Sequence, residues 1–147
     1  MILKDEVIAI PALGVINLHS GLLPSYRGVM ATFWAMLNRE TEIGTTLHFI
    51  DDGNIDAGKT IAFSKLTVNK EKSYLWHVLE LYKGGCELIL DAVAKFAEQK
   101  KINTSIQTKT GNCFTFPSET DLQEFENQGL RLVDEQEMVE FFNRFYF

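Results

Sequence analysis

The sequence predicts an α/β fold in which a sheet of mixed strands is flanked by helices and followed by a small α+β C-terminal extension. Short apolar runs of strand length alternate with a long segment whose apolar residues lie three and four apart, and a polar, turn-rich segment follows. The chain has 147 residues, 46% of them hydrophobic, which is enough for a real core. We expect a core domain at residues 1–102 and the extension at residues 103–147.

Composition argues against several classes of protein. The net charge is −6, whereas a protein that binds a phosphate backbone normally presents a basic face. No apolar run approaches the ~18–20 residues of a membrane span, and Lys4, Asp5 and Glu6 interrupt the apolar start that a signal peptide needs. Cys86 and Cys113 lack metal-ligand spacing, so we expect free thiols in a reducing cytoplasm. These observations predict a cytoplasmic protein without nucleic-acid or membrane partners.

The most informative stretch is the strand predicted at Val15–His19 and the turn that follows it. Asn17 and His19 point to the same side of the strand, because side chains alternate along a strand. The chain then turns at Pro24, so both groups lie at a strand end, where open α/β sheets bind ligands. An amide can donate to a developing oxyanion, and an imidazole can donate or move a proton. A polar strand cap and a buried structural histidine are the alternatives.

A second polar loop, Asp51–Gly58, follows the strand predicted at Thr45–Ile50, and we expect it to reach the same edge of the sheet. Asp56 is the best candidate to fix the tautomer of the imidazole and to favour its charged form. The loop lacks the alternating carboxylates of a calcium site, and the histidines lack zinc-ligand spacing, so we expect no metal. We expect His48, on the preceding strand, to make a structural hydrogen bond, and a place lining the site is the alternative.

The rest of the chain predicts helices and strands in alternation. A helix at Val29–Arg39, a strand at Thr60–Val68 and a long helix from the cap Ser73 to about Gln99 complete the core. His77 falls off the apolar stripe of the long helix, which predicts that it faces solvent. The stripe comprises Leu75, Val78, Leu79, Tyr82, Cys86, Ile89, Val93 and Phe96. In the extension we expect a strand at 112–117, a helix after Ser118, a strand at 130–133 and an aromatic-rich helix after Asp134.

Four motifs together resemble the catalytic half of the 10-formyltetrahydrofolate-dependent formyltransferases, from about Asp5 to about Leu66. In chain order they are Asn17-Leu18-His19, Leu22-Leu23-Pro24-Ser25-Tyr26-Arg27-Gly28, Gly44-Thr45-Thr46-Leu47-His48 and Ile55-Asp56-Ala57-Gly58. The resemblance implies a partial Rossmann-like formyltransferase sheet, and we expect the N-terminal nucleotide-fold half of the family to be absent here. It implies three groups of site residues: catalytic Asn17, His19 and Asp56; cofactor-binding Asp51, Asp52, Gly53, Asn54 and Ile55; and substrate-binding Tyr26, Arg27 and Gly28.

The resemblance also implies an activity, which is the transfer of a formyl group from 10-formyltetrahydrofolate to a primary amine of a small substrate such as an amino-sugar nucleotide. Asn17 and protonated His19 would stabilise the oxyanion, and Asp56 would assist a proton relay. The expected partners are the amine, a reduced folate as co-substrate, and a second copy that covers the exposed sheet edge or the aromatic tail. A formyltetrahydrofolate hydrolase and a non-catalytic binding or assembly module remain as alternatives.

Overall fold

The structure, a computed structural model, describes residues 3–108 and 111–146, so the terminal Phe147 of the predicted aromatic tail lies outside it. The strands are β1 (Val15–His19), β2 (Tyr26–Gly28), β3 (Glu42–Ile50), β4 (Thr60–Thr67) and β5 (Asn112–Phe114). The main sheet is antiparallel, with strand order β1-β3-β4. A parallel pair, β2 and β5, lies beside it. The helices are α1 (Asp5–Ile8), α2 (Ala31–Leu37), α3 (Tyr74–Ala97), α4 (Glu119–Asn127) and α5 (Glu135–Tyr146).

The register between β1 and β3 decides which side chains share a face of the sheet. Asn17 lies opposite His48, and His19 lies opposite Thr46. Because side chains alternate, the two histidines and Asn17 occupy one face. Leu18 lies on the other face, where it contacts α3 at Gly85: an added Cβ on that glycine would come within 2.6 Å of Leu18. The sheet therefore separates a polar, site-bearing face from a face covered by α3.

A compact aromatic core joins the sheet to the C-terminal extension. Phe33 of α2 and Phe125 of α4 are fully buried, and their rings stack with centroids 4.5 Å apart. Burial of a large apolar side chain stabilises a fold by roughly 1.5–3 kcal/mol. The same cluster includes Ile43 from β3 and Leu81 from α3. Residues on both sides of position 102 thus contribute to one core.

Helix α3 begins as predicted but turns a different face to the core. The hydroxyl of Ser73 accepts the backbone N–H of Trp76 and caps the helix. Two predictions were wrong: His77 is fully buried, and Tyr82, Cys86 and Val93 of the predicted stripe are exposed. The reason is close packing: a Cβ added at Gly84 would meet Ser64 of β4 and one added at Gly85 would meet Leu18 of β1, so these glycines let this side of the helix lie against the sheet. The buried positions of the helix are His77, Leu81, Gly85 and Ala92.

The extension has two well-capped helices but lacks the second strand predicted for it. Residues 130–133 form no strand; instead the carbonyls of Arg131 and Leu132 accept the backbone N–H groups of Tyr74 and Leu75. They thereby satisfy donors in the first turn of α3, which a helix cannot bond internally. The predicted cap Ser118 forms a capping box with Asp121. Among the described residues, no helix is long and apolar enough to cross a membrane.

Candidate functional site

Four polar side chains meet at the C-terminal end of β1. The amide Nδ2 of Asn17 lies 3.2 Å from Nε2 of His48. The two carboxylate oxygens of Asp56 each lie 3.5 Å from a histidine: Oδ2 from Nδ1 of His19, and Oδ1 from Nε2 of His48. The structure therefore brings Asn17, His19 and Asp56 together, as the sequence predicts, and adds His48 between them.

The backbone of β2 holds two members of this group. Nε2–H of His19 donates to the carbonyl of Tyr26 at 2.6 Å, since a carbonyl can only accept. The backbone N–H of Gly28 donates to Oδ2 of Asp56 at 2.8 Å. Gly28 has φ +90°, a left-handed conformation that favours glycine. A strand of only three residues thus fixes both the imidazole and the carboxylate.

Electrostatics set the resting charges of the pair. Burial lowers the pKa of His19 below its usual 6.5, although the Asp56 carboxylate and the Tyr26 carbonyl act in the opposite direction. Burial alone would raise the pKa of Asp56, but the neighbouring imidazole of His48, the charge that His19 carries when protonated and the Gly28 amide outweigh it and lower that pKa below 3.8. Near neutral pH, the pair therefore consists of a carboxylate and a neutral imidazole.

The hydrogen-bond partners also assign the tautomers. His48 donates from Nδ1 to the carbonyl of Phe49 at 2.8 Å, so its Nε2 accepts from the amide of Asn17. Nε2 of His19 carries the proton given to Tyr26, which leaves Nδ1, beside Asp56, as the nitrogen that can take up a proton. Asn17 retains a second amide hydrogen to donate. The arrangement can therefore accept one proton and donate one hydrogen bond.

A cavity of about 540 Å³ lies against this group and falls in the size range of small-molecule sites. Asp56, Asn17 and His48 contribute to its wall, whereas His19 lies behind Asp56. The described residues that line it are Leu3, Asn17, Gly28, Val29, His48, Phe49, Ile50, Asp52, Gly53, Asn54, Ile55, Asp56, Gly58, Cys113, Phe114 and Thr115.

The predicted cofactor-binding loop lies largely in the wall of this cavity. Asp52, Gly53, Asn54 and Ile55 line it. Asp52 accepts both the backbone N–H and the side-chain amide of Asn54, which holds the loop in a tight turn. Asp51 does not line the cavity; its carboxylate accepts the backbone N–H of Lys59 at 3.0 Å. Four of the five residues therefore have access to a ligand, and the fifth supports the loop.

The predicted substrate-binding residues are divided between the cavity and the packing behind it. Gly28 lines the cavity. Tyr26 is 9% exposed, and its hydroxyl donates to Glu40 at 2.8 Å. Nη2 of Arg27 donates to the backbone carbonyl of Gly111 at 2.7 Å. The side chains of Tyr26 and Arg27 thus hold β2 in place and do not line the cavity.

Sequence reasoning ranked one part of the site too low and missed another. His48 makes the expected structural hydrogen bond, but it also takes the alternative place in the site, where it contacts Asn17 and Asp56 because it lies opposite Asn17 in the sheet. The wall formed by residues 113–115 had no local signal, because β5 reaches β2 from more than 80 residues along the chain. Among the described residues, no group of three or more histidines, cysteines and acidic residues is arranged to hold a metal ion.

The fold is shared with formyltransferases of known structure, and a family model matches the sequence. The family model described as formyl transferase matches residues 1–75, just over half of the chain. The chain therefore belongs to the formyl transferase family, as the resemblance of its motifs indicated.

The curated relatives are longer proteins. Methionyl-tRNA formyltransferase of Flavobacterium psychrophilum is 37% identical over 113 residues, which cover 77% of this chain and 35% of the relative. The enzyme of the same name from Synechococcus sp. (strain JA-3-3Ab) is 38% identical over 94 residues, which cover 64% of this chain and 29% of the relative. The chain thus spans about a third of the length of these relatives.

Solved structures share the fold. An N-formyltransferase from Helicobacter canadensis, in complex with folinic acid and dTDP-3-aminofucose, has a TM-score of 0.67 and 25% identity, and the match covers 82% of this chain and 43% of that one. The formyltransferase PseJ from Anoxybacillus kamchatkensis has a TM-score of 0.70 and 22% identity, covering 93% and 68%. These matches and the small sheets with flanking helices confirm the predicted fold class.

Proposed function

We propose that this chain carries the chemical step of formyl transfer from 10-formyltetrahydrofolate to a primary amine. The observation that carries the proposal is the His19–Asp56 pair, placed beside Asn17 at the wall of a 540 Å³ cavity in a member of the formyl transferase family. The Helicobacter canadensis relative was solved with folinic acid and an amino-sugar nucleotide, which supports a reduced folate and a small amine as ligands.

Different residues stabilise the developing negative charge and take up the proton. The folate supplies the formyl carbon; the amine nitrogen bonds to that carbon, the bond from the carbon to N10 breaks, and N10 gains a proton while the amine loses one. Asn17 donates an amide hydrogen to the oxygen that becomes negative, and one such donor is typically worth about 3 kcal/mol. Because Asp56 lines the cavity and His19 lies behind it, the amine proton reaches Nδ1 of His19 through a water held by Asp56, and the Asp56 carboxylate stabilises the resulting imidazolium.

This assignment changes one part of the sequence-based expectation. Protonated His19 was expected to donate to the oxyanion, but its Nε2–H is engaged by the Tyr26 carbonyl and burial lowers its pKa. We therefore assign oxyanion stabilisation to Asn17 and proton uptake to His19. Asp52 and residues 53–55 are proposed to contact the folate, whereas Asp51, Tyr26 and Arg27 support the backbone that shapes the site.

Two acceptors are supported by different observations. An amino-sugar nucleotide is favoured by the folate- and sugar-bound relative that matches 82% of this chain. Methionyl-tRNA is favoured by curated relatives, two methionyl-tRNA formyltransferases that are 38% and 37% identical to this chain. We place the core at residues 1–102 and the extension at residues 103–147. The core supplies Asn17, His19 and Asp56, and the extension supplies one wall of the cavity. We propose that the enzyme is cytoplasmic.

The test is a product assay on the purified chain with 10-formyltetrahydrofolate and either dTDP-3-aminofucose or methionyl-tRNA. A formylated amine supports the proposal, and Asn17→Ala lowers its rate by about 10²–10³-fold. The exposed Asn103→Ala is the matched control and leaves the rate unchanged. Formate released at the same rate with and without amine would favour the hydrolase. A chain that binds folate but forms neither product would be a non-catalytic module.

A further inference from the structure

We propose that β5, through Phe114, is the positioning element for the His19–Asp56 pair, although it lies nearly 100 residues after His19 in the chain. Phe114 acts on the pair through β2, and its value for catalysis rests on the proposed function of the pair in formyl transfer. The inference follows from a chain of contacts that leads from Phe114 to β2 and from β2 to the two side chains.

The first link is between β2 and the pair. The carbonyl of Tyr26 accepts from Nε2–H of His19 at 2.6 Å, and the N–H of Gly28 donates to Asp56 at 2.8 Å. Both partners are backbone groups of the same three-residue strand, two positions apart. Any displacement of β2 therefore changes the positions of the imidazole and the carboxylate together.

The second link is between β2 and β5. Tyr26, Arg27 and Gly28 pair in parallel with Asn112, Cys113 and Phe114. Just beyond β2, the N–H of Val29 donates to the carbonyl of Phe114 at 3.0 Å. An added Cβ at Gly28 would lie only 2.2 Å from that same carbonyl oxygen, so this glycine permits the close approach of the two strands. Gly28 is thus in contact with Asp56 on one side and with β5 on the other.

The third link is the ring of Phe114, which fastens β5 to the rest of the fold. It stacks on Tyr26 with centroids 5.5 Å apart and on Trp34 of α2 with centroids 5.0 Å apart. The indole N–H of Trp34 also donates to the carbonyl of Thr115 at 3.0 Å. Offset-stacked aromatic pairs are stabilising beyond the area that they bury. The ring of Phe114 therefore links β2 to α2 at Tyr26, the residue whose carbonyl holds His19.

The experiment measures the His19–Tyr26 hydrogen bond directly and needs no ligand. In a chain labelled with ¹⁵N-histidine, exchange of the His19 Nε2–H with solvent is followed by NMR. We expect Phe114→Ala to speed this exchange at least tenfold. His77 is the internal reference, because its Nδ1–H donates to the carbonyl of Ser73 in a distant part of the fold, so its exchange stays unchanged. Phe116→Ala, at a residue that is 74% exposed, is the matched control and alters neither histidine.

A second pair of variants separates positioning from folding. Phe114→Tyr retains the stacked ring and restores slow exchange, whereas Phe114→Leu retains apolar bulk without stacking and gives the fast rate. If Phe114→Ala unfolds, the ring N–H groups of His77 and His19 both exchange rapidly. The comparison is then made with Phe114→Leu. The proposal would be overturned if His19 exchanges slowly in folded Phe114→Leu. It would also be overturned if the exchange of His77 in that folded variant speeds up as much as that of His19.

The same variants connect the geometry to turnover. We expect Phe114→Leu to lower kcat for formyl transfer at least tenfold, because the pair is displaced. Phe114 also lines the cavity, so KM for the folate is measured separately and the change in kcat carries the test. An inactive wild-type chain would contradict the proposed function, whereas the exchange rates of His19 would still decide whether β5 positions the pair. Unchanged kcat in a variant with fast His19 exchange would show that β5 positions the imidazole without serving the reaction, and would overturn the catalytic part.

Discussion

Two regions of the molecule each combine a buried histidine with a nearby carboxylate, but only one has the features of a reactive site. At the end of β1, His19 faces Asp56 beside a cavity of about 540 Å³. At the start of α3, His77 is fully buried near Glu137, where the adjacent cavity has only about 90 Å³. The two regions use the same residue types, so the difference between them lies in how their polar atoms are partnered.

The region at α3 is saturated with hydrogen bonds. Nδ1–H of His77 donates to the carbonyl of Ser73 at 2.7 Å, and its Nε2 accepts the N–H of Asn69 at 3.0 Å. Glu137 accepts both the backbone N–H and the hydroxyl of Ser73. Lys72 and Arg131 lie within 4 Å of the same carboxylate. A fully bonded arrangement of this kind stabilises the fold and leaves no atom for chemistry.

The region at β1 is incompletely bonded in its resting form. Nδ1 of neutral His19 faces Asp56 at 3.5 Å without a proton between them, and the pair gains a hydrogen bond when the imidazole takes up a proton. Perturbed and partly satisfied groups beside a cavity are typical of functional sites. Protonation of His19 would complete a bond to Asp56, whereas the bonds of His77 are complete without a further proton; this difference supports the catalytic role that we propose for His19.

The largest expected effect on activity is that of removing the charge of Asp56, the carboxylate beside His19. Asp56→Asn removes the charge that stabilises protonated His19, so kcat falls by about 10²–10⁴-fold, the usual contribution of a proton-transfer group. The measurement is steady-state formyl transfer, with a melting curve to verify folding. Asp91→Asn on the exposed side of α3 is the control. Activity of Asp56→Asn within threefold of wild type would contradict the assignment.

The pH dependence of the rate tests whether His19 reacts as the neutral imidazole. His19 must be neutral to accept the amine proton, and burial lowers its pKa below 6.5. The rate is therefore constant above that pKa and falls about tenfold per pH unit below it. The expected kcat/KM profile has an acidic limb with a midpoint below 6.5, and a rate that rises as the pH falls through this range would require the protonated imidazole instead.

Glu137→Gln is expected to affect stability and not chemistry. The amide retains the shape of the carboxylate but loses its charge and one acceptor, which leaves Ser73 or Arg131 incompletely paired. The free energy of unfolding, measured with urea, should fall by about 1–3 kcal/mol. Glu140→Gln, at a residue that is 61% exposed, is the control and should change it little. A loss of kcat in folded Glu137→Gln would remove the distinction between the two regions.

The smallest effect is expected at the capping box of α4. Ser118→Ala removes the acceptor for the N–H of Asp121, so the unfolding free energy should fall by about 1 kcal/mol. Ser25→Ala, at another exposed serine, is the comparison. Formyl transfer at 25 °C should be unaffected by both substitutions. A decrease in kcat would indicate that α4 and the site are coupled more tightly than the contacts suggest.

Local patterns predicted the parts of the molecule that depend on local physics. The short apolar run that begins at Val15 predicted β1 with the observed bounds, and the polar residues before two helices predicted the caps Ser73 and Ser118. The joint placement of Asn17 and His19 followed from the period of a strand. These features need only the neighbouring residues, which explains why the sequence alone was sufficient.

Features that depend on long-range contacts were missed. Strand β2 exists because residues 112–114 pair with it, and no pattern within 26–28 indicates this partner. His77 lies off the apolar stripe, yet it is buried because Ser73 and Asn69 supply bonds to both ring nitrogens. Residues 130–133 read as a strand, but their carbonyls cap α3. In each case the deciding partner is a backbone group that a periodicity argument does not include.

Calorimetric titration with 5-formyltetrahydrofolate tests whether the cavity beside Asn17 and Asp56 binds a reduced folate. We expect binding of one folate per chain. Ile55→Asp, in the cavity wall, should weaken this binding at least about tenfold, the equivalent of one buried apolar contact. Ile106→Asp, at a residue that is 73% exposed, should leave it unchanged. If the folded chain binds no folate, or if Ile55→Asp binds it as tightly as the wild type, the cavity is not the folate site.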